Sequence, residues 1–503
     1  MSIAIVESRA LVGLDAPRVQ VEVHISNGLP GLAIVGLPET AVRESRERVR
    51  SALLNAGLDY PARRITLNLA PADLPKEGGR FDLPIAVAMM MASGQIDSSS
   101  MNNIECVGEL ALDGSVRSVG SILPVALAAK RQGAALMVAQ EDAHEAALVE
   151  GLTVLAVSHL REVVGHCRKQ RPLAPLSTTH LSPAIHVSPD LSDVRGQFQA
   201  RRALEIAAAG GHNLLFAGPP GTGKSMLASR LPGLLPPLLP EQCLEVAAIR
   251  SRSGMPPTQE WGIRPFRTPH HGTTAAALIG GGSPLVPGEI TLAHHGVLFL
   301  DELPEFERRA LEGLREPMEI QMVSIARVGR QAVFPAAFQL IAAMNPCPCG
   351  HLGDSRRACR CSTSQIQRYR ARISGPLLDR IDLQVEVVAA SAEVLAAQKP
   401  GEASAVVRQR VIRARERQAM RGVLNARLAV PTLEAACRLD DAERNWLAHS
   451  LDRLGYSTRS YHRVLRVALT IADLEQSEQL TREHLLEALG YRQLDKLLRG
   501  EEH

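Results

Sequence analysis

At 503 residues, with 45% hydrophobic and 22% charged side chains, the chain has the makeup of a globular protein and the length for about three domains. A net charge of +3 gives no global field for nucleic acid, so any such contact must come from local patches, and 3% aromatic residues exclude a surface dominated by base-stacking platforms. No run of ~18 apolar residues could cross a bilayer, and the opening MSIAIVESRALVGLDAP has no basic segment ahead of a long apolar one, so the reading is no signal peptide, no membrane contact and a cytoplasmic location.

Residues 1–168 alternate strand-like runs (VQVEVHI, GLAIVGL, RITLNLA, ALMVA, LTVLAV) with helix-like ones (ETAVRESRERVRSALLNAG, LPIAVAMMMASG, ILPVALAAKRQGA), which predicts an α+β domain. Residues 169–193 lack periodicity and are rich in Pro, Ser and Thr, so they read as a linker. From 194 to 390 the order is helix (GQFQARRALEIAAAG), apolar strand (NLLFAG), glycine loop, helix, a long irregular section, apolar strand (GVLFLDE), helix, hairpin-like segment and apolar strand (FQLIAAMN). Apolar strands separated by helices predict an α/β fold with a parallel sheet covered on both faces. Residues 391–503 read as a smaller helical domain.

The loop after NLLFA carries Gly218, Pro219, Pro220, Gly221, Thr222, Gly223, Lys224 and Ser225, the G-x-x-x-x-G-K-[ST] pattern in the strand-to-helix setting that it requires. Glycines there let backbone N–H groups turn inward around phosphate oxygens. Lys224 is then placed for the β/γ-phosphates of ATP and Ser225 for Mg²⁺. The strand VLFLDE delivers Asp301 to the Mg²⁺ shell and Glu302 to polarise the attacking water, and FQLIAAMN ends in Asn345, suited to orienting that water. Charge developing on the transferred phosphoryl group calls for a further cation. Arg380 in SGPLLDRIDL could project into a neighbour's site, and Arg459, behind Ser457 and Thr458, could fold back on its own nucleotide; the competing reading for both is a surface ion pair. Arginines also crowd 356–380 and 406–421, either as nucleic-acid patches or as solvated helix faces.

Together the P-loop, VLFLDE, the Asn345 strand, LLDRID and the arginine-led helix resemble an AAA+ ATPase with a helical lid. More closely, DVRGQFQARRALEIAAAGGHNLL, TPHHGTTAAALIGGGSPLVPGEITLAHHGVLFLDELPEF and AAMNPCPCG resemble the magnesium-chelatase-related YifB/ComM family over nearly the whole chain. The resemblance implies a homo-hexameric ring with Arg380 as a finger in trans and Arg459 as a second sensor. It also implies a DNA translocase or helicase that drives branch migration in recombination and natural transformation, acting on single-stranded, branched and recombinase-bound DNA.

Two insertions gain meaning from that likeness. Residues 268–295, with His270, His271, His294 and His295, lie where related ATPases carry a channel-facing loop; the histidines read as hydrogen-bonded loop residues or as metal ligands. MVSIARVGRQAVFPA alternates around Val328-Gly329, so Arg327 and Arg330 would flank a hairpin tip and meet DNA phosphates. The N-terminal domain is similar to the Lon-protease fold (the S5 domain 2-like class), but the likeness puts Arg80 at the nucleophile and Leu123 at the lysine position, so no Ser-Lys dyad is expected.

Cys347, Cys349, Cys359 and Cys361 form two C-x-C hooks in the 347–361 loop, which could close a tetrahedral Zn²⁺ site with His351 as a substitute ligand; the alternative is a loop of free thiols. Two rival functions stay open: a chelatase-like ATPase remodelling a protein partner, and a non-motor scaffold or regulator built on the Lon-like domain.

Overall fold

The computed structural model describes residues 2–35, 40–74, 76, 78–178, 181–182, 184, 188–282, 285–327, 330–354, 357–388, 400–453, 458–492 and 494. The chain divides into one unit of Met1–Ala184, Pro240–Gly262 and Ala326–Val333 and another of Ile185–Leu239, Ile263–Ile325 and Phe334–His503.

Alternation builds the first unit. Its strands β1 (Ser2–Arg9), β2 (Arg18–Ser26), β3 (Gly31–Val35) and β4 (Arg64–Ala70) are followed by β5 (Ile104–Val107), β6 (Ala135–Ala139), β7 (Val154–Val157) and β8 (Pro175–Leu176). On β2, Val19, Val21, Val23 and Ile25 are buried while the residues between them are not, as a strand with one covered face requires. The sheet order is β8-β7-β6-β5-β1-β2-β4-β3. β1 pairs antiparallel with β2, whereas β5, β6 and β7 run parallel. Helices α1 (Thr40–Asn55), α2 (Asp82–Ala92) and α3 (Ile122–Arg131) accompany it. α2 reads DLPIAVAMMMA and is buried along nearly all its length, because it packs against β1, β2 and α1. Leu123 on α3 is fully buried in the core and Arg80 is 9% exposed.

The sequence reading runs the ATPase core unbroken from 194 to 390, whereas the helix Pro240–Arg252 packs with the first unit. Its buried stripe explains this: Ala247 and Ala248 share a core with Ile122, Val125 and Ala126 of α3.

In the second unit, β9 (Leu214–Ala217), β10 (Phe266–Arg267), β11 (Val297–Leu300), β14 (Gln339–Met344) and β15 (Leu383–Glu386) follow in chain order; between β11 and β14 the chain forms a separate ribbon of β12 (Met322–Arg327) and β13 (Arg330–Pro335), of which Ala326–Val333 is assigned to the first unit. The main sheet is ordered β10-β11-β14-β9-β15 and is parallel throughout. LLFA, VLFL and QLIAAM are buried at every position, the signature of strands covered on both faces. The same unit contains α4 (Phe198–Gly210) and α5 (Lys224–Ala228), which pack on this sheet, and α6 (Ala275–Ile279), α7 (Arg315–Ile320) and α8 (Thr363–Arg370). The C-terminal helices are α9 (Ser404–Ala419), α10 (Val430–Cys437), α11 (Asp441–Arg453), α12 (Thr458–Leu474) and α13 (Arg482–Gly490), and α4 packs against α9 and α12.

Four arginines of the run on α9 have partners within the protein, whereas Arg413 is exposed. Arg408 donates to Gly233 O at 2.7 Å, Arg415 to Ala208 O at 2.6 Å and Arg417 to Ser477 O at 2.6 Å, while Arg410 pairs with Glu205 and Glu402. These side chains cap carbonyls within their own unit, and burial pulls the Arg415 guanidinium down to about 9. No helix among the described residues is long and apolar enough to cross a membrane.

Candidate nucleotide site and cysteine cluster

The P-loop connects β9 to α5 at the carboxyl edge of the parallel sheet, where open α/β sheets take ligands. Its glycines have specific tasks. A Cβ at position 218 would clash with the Val387 carbonyl oxygen, and Gly221 and Gly223 take φ of 77° and 90°, the left-handed region. Lys224 opens α5 and is buried, its Nζ donating to Gly218 O at 2.7 Å, Pro219 O at 2.8 Å and Asn345 Oδ1 at 3.2 Å. Burial lowers the affinity of this ammonium for its proton, with Asp301 and Glu302 opposing.

Ser225 Oγ donates to Asp301 Oδ2 at 2.5 Å, which joins the two residues expected to share Mg²⁺. Both are oxygen donors at the end of adjoining elements, a donor set that suits a hard divalent cation. Asp301 Oδ1 accepts the Glu302 N–H at 2.9 Å, and Glu302 itself sits at φ 52°, uncommon for a non-glycine residue. That turn lifts its carboxylate away from the strand and onto His271, with Oε2 at 3.0 Å from Nδ1. His271 follows β10, the strand beside β11, so both residues emerge at the same sheet edge.

Two of the other loop histidines accept from the backbone. His270 Nδ1 accepts the Gly272 N–H at 3.1 Å, and His294 Nδ1 accepts the Ala337 N–H at 2.9 Å.

Asn345 follows β14, the strand paired with β9, and so lies beside the P-loop. Two residues later the chain enters the cysteine cluster. Cys347 Sγ is 3.4 Å from Cys349 Sγ and 3.7 Å from Cys359 Sγ, which are 3.6 Å apart, and Cys361 Sγ completes a group within 4.8 Å. Backbone N–H groups of His351 and Arg360 pull the Cys349 thiol down to about 6, while burial pushes Cys347 up. His351 pairs with Asp354 at 3.0 Å instead of joining the four sulfurs. The loop also touches the nucleotide site: a Cβ at Gly350 would lie 2.9 Å from Pro220 Cδ and 3.9 Å from Asn345 Cγ.

Arg380 precedes β15 at its amino end, the edge opposite its own P-loop. Its side chain is 15% exposed, pairs with Glu319 at 2.6 Å and donates to Pro376 O at 2.8 Å. Two residues on, Asp382 pairs with Arg463 of α12 at 3.2 Å and with His212 at 3.0 Å, and the other His212 nitrogen is 2.8 Å from Thr470 Oγ1. Arg327 closes β12 and Arg330 opens β13; Val328, Gly329, Ser457 and the side chains of Arg327, Arg330 and Arg459 lie outside the described residues.

The sequence reading missed three contacts: His271 on Glu302, Glu319 on Arg380 and Gly350 on Pro220. The first two are single long-range pairs of common residue types, without spacing to betray them. For the third, C-P-C-G-H did place a glycine in the cysteine run, a residue that permits close backbone approach.

Family models for magnesium chelatase match in three consecutive stretches: subunit ChlI of Mg-chelatase over residues 21–142, magnesium chelatase subunit ChlI over 190–395, and the ChlI C-terminal region over 401–492. The uncharacterized protein YifB of Escherichia coli is 51% identical over 99% of this chain and 98% of its own. Competence protein ComM of Haemophilus influenzae is 49% identical over 99% of both. Lon protease 1 of Bacillus subtilis is 26% identical over 33% of this chain and 23% of its own. With a P-loop, an Asp301-Glu302 strand end and an Asn345 strand on one sheet edge, and with that likeness running end to end, the chain belongs to the YifB/ComM family of magnesium-chelatase-related AAA+ ATPases.

Proposed function

We propose that the protein hydrolyses Mg²⁺-ATP as a homo-hexameric ring and uses the energy to translocate on DNA, driving branch migration during homologous recombination and natural transformation. The observation that carries the reading is the joint placement of Lys224, Ser225, Asp301, Glu302 and Asn345 at one sheet edge in a chain that matches competence protein ComM over 99% of its length. Ser225 and Asp301 hold Mg²⁺, Lys224 takes the β/γ-phosphates, Asn345 orients the attacking water and Glu302 accepts its proton. Arg380, on the edge away from its own phosphates, reaches the neighbouring subunit's site, and Arg459 completes the site from the helical lid. Arg327 and Arg330 at the hairpin meet DNA phosphates, of single-stranded or branched DNA.

The four cysteines hold Zn²⁺. Their sulfurs lie close enough for one tetrahedral ion, and four protein ligands leave no open coordination position, so the metal is structural. A reducing cytoplasm keeps such thiolates available.

The deciding experiment measures ATPase rate with and without forked DNA across a salt series, alongside native mass with nucleotide bound. A DNA motor shows stimulation that weakens steeply with salt, because phosphate contacts release counterions. Absence of any DNA stimulation or binding would move the assignment to a chelatase-like ATPase acting on a protein partner, the reading that the chelatase family models favour.

A further inference from the structure

The loop from Pro346 to Ser362 begins at Asn345 and ends at the N-cap of α8, where Ser362 Oγ accepts the Gln365 N–H at 3.3 Å. One C-x-C hook sits at each end of it. Cys347 and Cys349 follow Asn345, and Cys359 and Cys361 lead directly into that cap. A single metal ion binding all four therefore ties the end of β14 to the start of α8. Between the hooks, Gly350 takes φ 82°, its N–H donates to Cys347 O at 3.0 Å, and its backbone packs on Pro220 of the P-loop and on Asn345. Arg370 of α8 donates from Nε to Pro346 O at 3.4 Å, so the far end of the tied segment returns to the residue after Asn345. Asn345 in turn accepts from Lys224 Nζ.

We propose that the cysteine-bound metal holds one wall of the ATP pocket, so that metal occupancy controls nucleotide binding by fixing Gly350 against Pro220 and Asn345. The proposal rests on the zinc reading given above. Without the ion nothing holds the four sulfurs together, and the loop regains the conformational freedom that the cross-link removed. Pro220 and Asn345 then lose a packed neighbour, and the P-loop loses the support that keeps its amide groups aimed at phosphate. The rest of the chain has its own cores and does not depend on this loop.

The test uses the full chain. Zinc per chain is measured on purified protein, the metal is stripped with a chelator under reducing conditions, and affinity for a fluorescent ATP analogue and thermal melting are measured before stripping, after stripping and after zinc is restored. The expected result is an affinity loss of about tenfold or more on stripping, recovered by zinc, with the main melting transition retained. Gly350→Ala supplies the independent arm: all four cysteines remain, so zinc content stays parental, yet the new Cβ presses on Pro220 and affinity falls similarly. A zinc-bearing chain whose affinity is unchanged by stripping overturns the proposal alone, and a chain that neither carries nor takes up zinc overturns the metal reading with it. Should stripping unfold the protein, Gly350→Ala decides, and parental zinc with parental affinity sinks the proposal.

Discussion

Lys224 and Glu302 do different work at the same edge, and their substitution separates binding from chemistry. Lys224→Ala removes the buried ammonium proposed to take the phosphates, so ATP-analogue binding is expected to vanish while the melting temperature stays near parental. Glu302→Gln keeps the turn and the backbone hydrogen bond to Asp301, so the variant is expected to bind ATP and to lose turnover by about a hundredfold or more. Parental turnover in Glu302→Gln would remove Glu302 from its role. The contact with His271 adds a second expectation: the imidazole holds the carboxylate 3.0 Å away before any nucleotide enters, so His271→Ala should raise the DNA-free kcat by about two- to fivefold, the scale of an exposed ion pair, with KM unchanged. An unchanged or lower kcat would show that the pair restrains nothing. The P-loop was legible in the sequence because its glycines answer to backbone positions that only glycine tolerates, as Gly218 beneath the Val387 carbonyl illustrates. His271 was not, since nothing in HHGTT says which carboxylate the ring will meet.

The elements show the same division between periodic and non-periodic signals. LLFA, VLFL and QLIAAM announced a covered parallel sheet because every position is apolar, and α2 announced itself by a run too long for a strand. β5 offers only four residues, too few for a period, and the arginines of α9 left a nucleic-acid patch and a solvated face both open because sequence does not show the carbonyls that some of them cap. The Asp382 network was equally hidden, since its partners lie far along the chain. Burial alone would raise the pKa of Asp382; the hydrogen bond to His212 and the charges of Arg463 and Arg492 prevail and hold it below the usual carboxylate range. A depressed carboxylate contributes stability that is fully present above the unfolded-state value of about 4 and is lost as pH falls through the lower folded value. Asp382→Ala should therefore destabilise the second unit at neutral pH by about 3 kcal/mol, as removal of one partner from a buried charge network does. Denaturant titration at pH 7 and again well below pH 4 checks this, with the parent and variant expected to converge at the acid end.

At the scale of the whole molecule, the strand direction carries the argument for a ring. β9 and β15 run parallel, so the residue that precedes β15 and the loop that follows β9 lie at opposite edges of one sheet. Arg380 is on the first of these and ATP on the second, and within a single chain the guanidinium is occupied with Glu319. An arginine that serves hydrolysis from there must serve a neighbouring subunit, which makes the prediction one of complementation. Arg380→Ala subunits keep an intact P-loop and lack the finger; Lys224→Ala subunits lack ATP and keep the finger. Each variant alone should be inactive. Mixed in equal amounts under conditions that let rings reassemble, they create about one interface in four with an intact P-loop facing an intact Arg380, because a heterologous ring interface draws each half from a different subunit. ATPase activity should reappear on mixing and peak near equal proportions. If Arg380 acted within its own chain, every site in the mixture would still lack one essential group, and the mixture would stay as silent as its components.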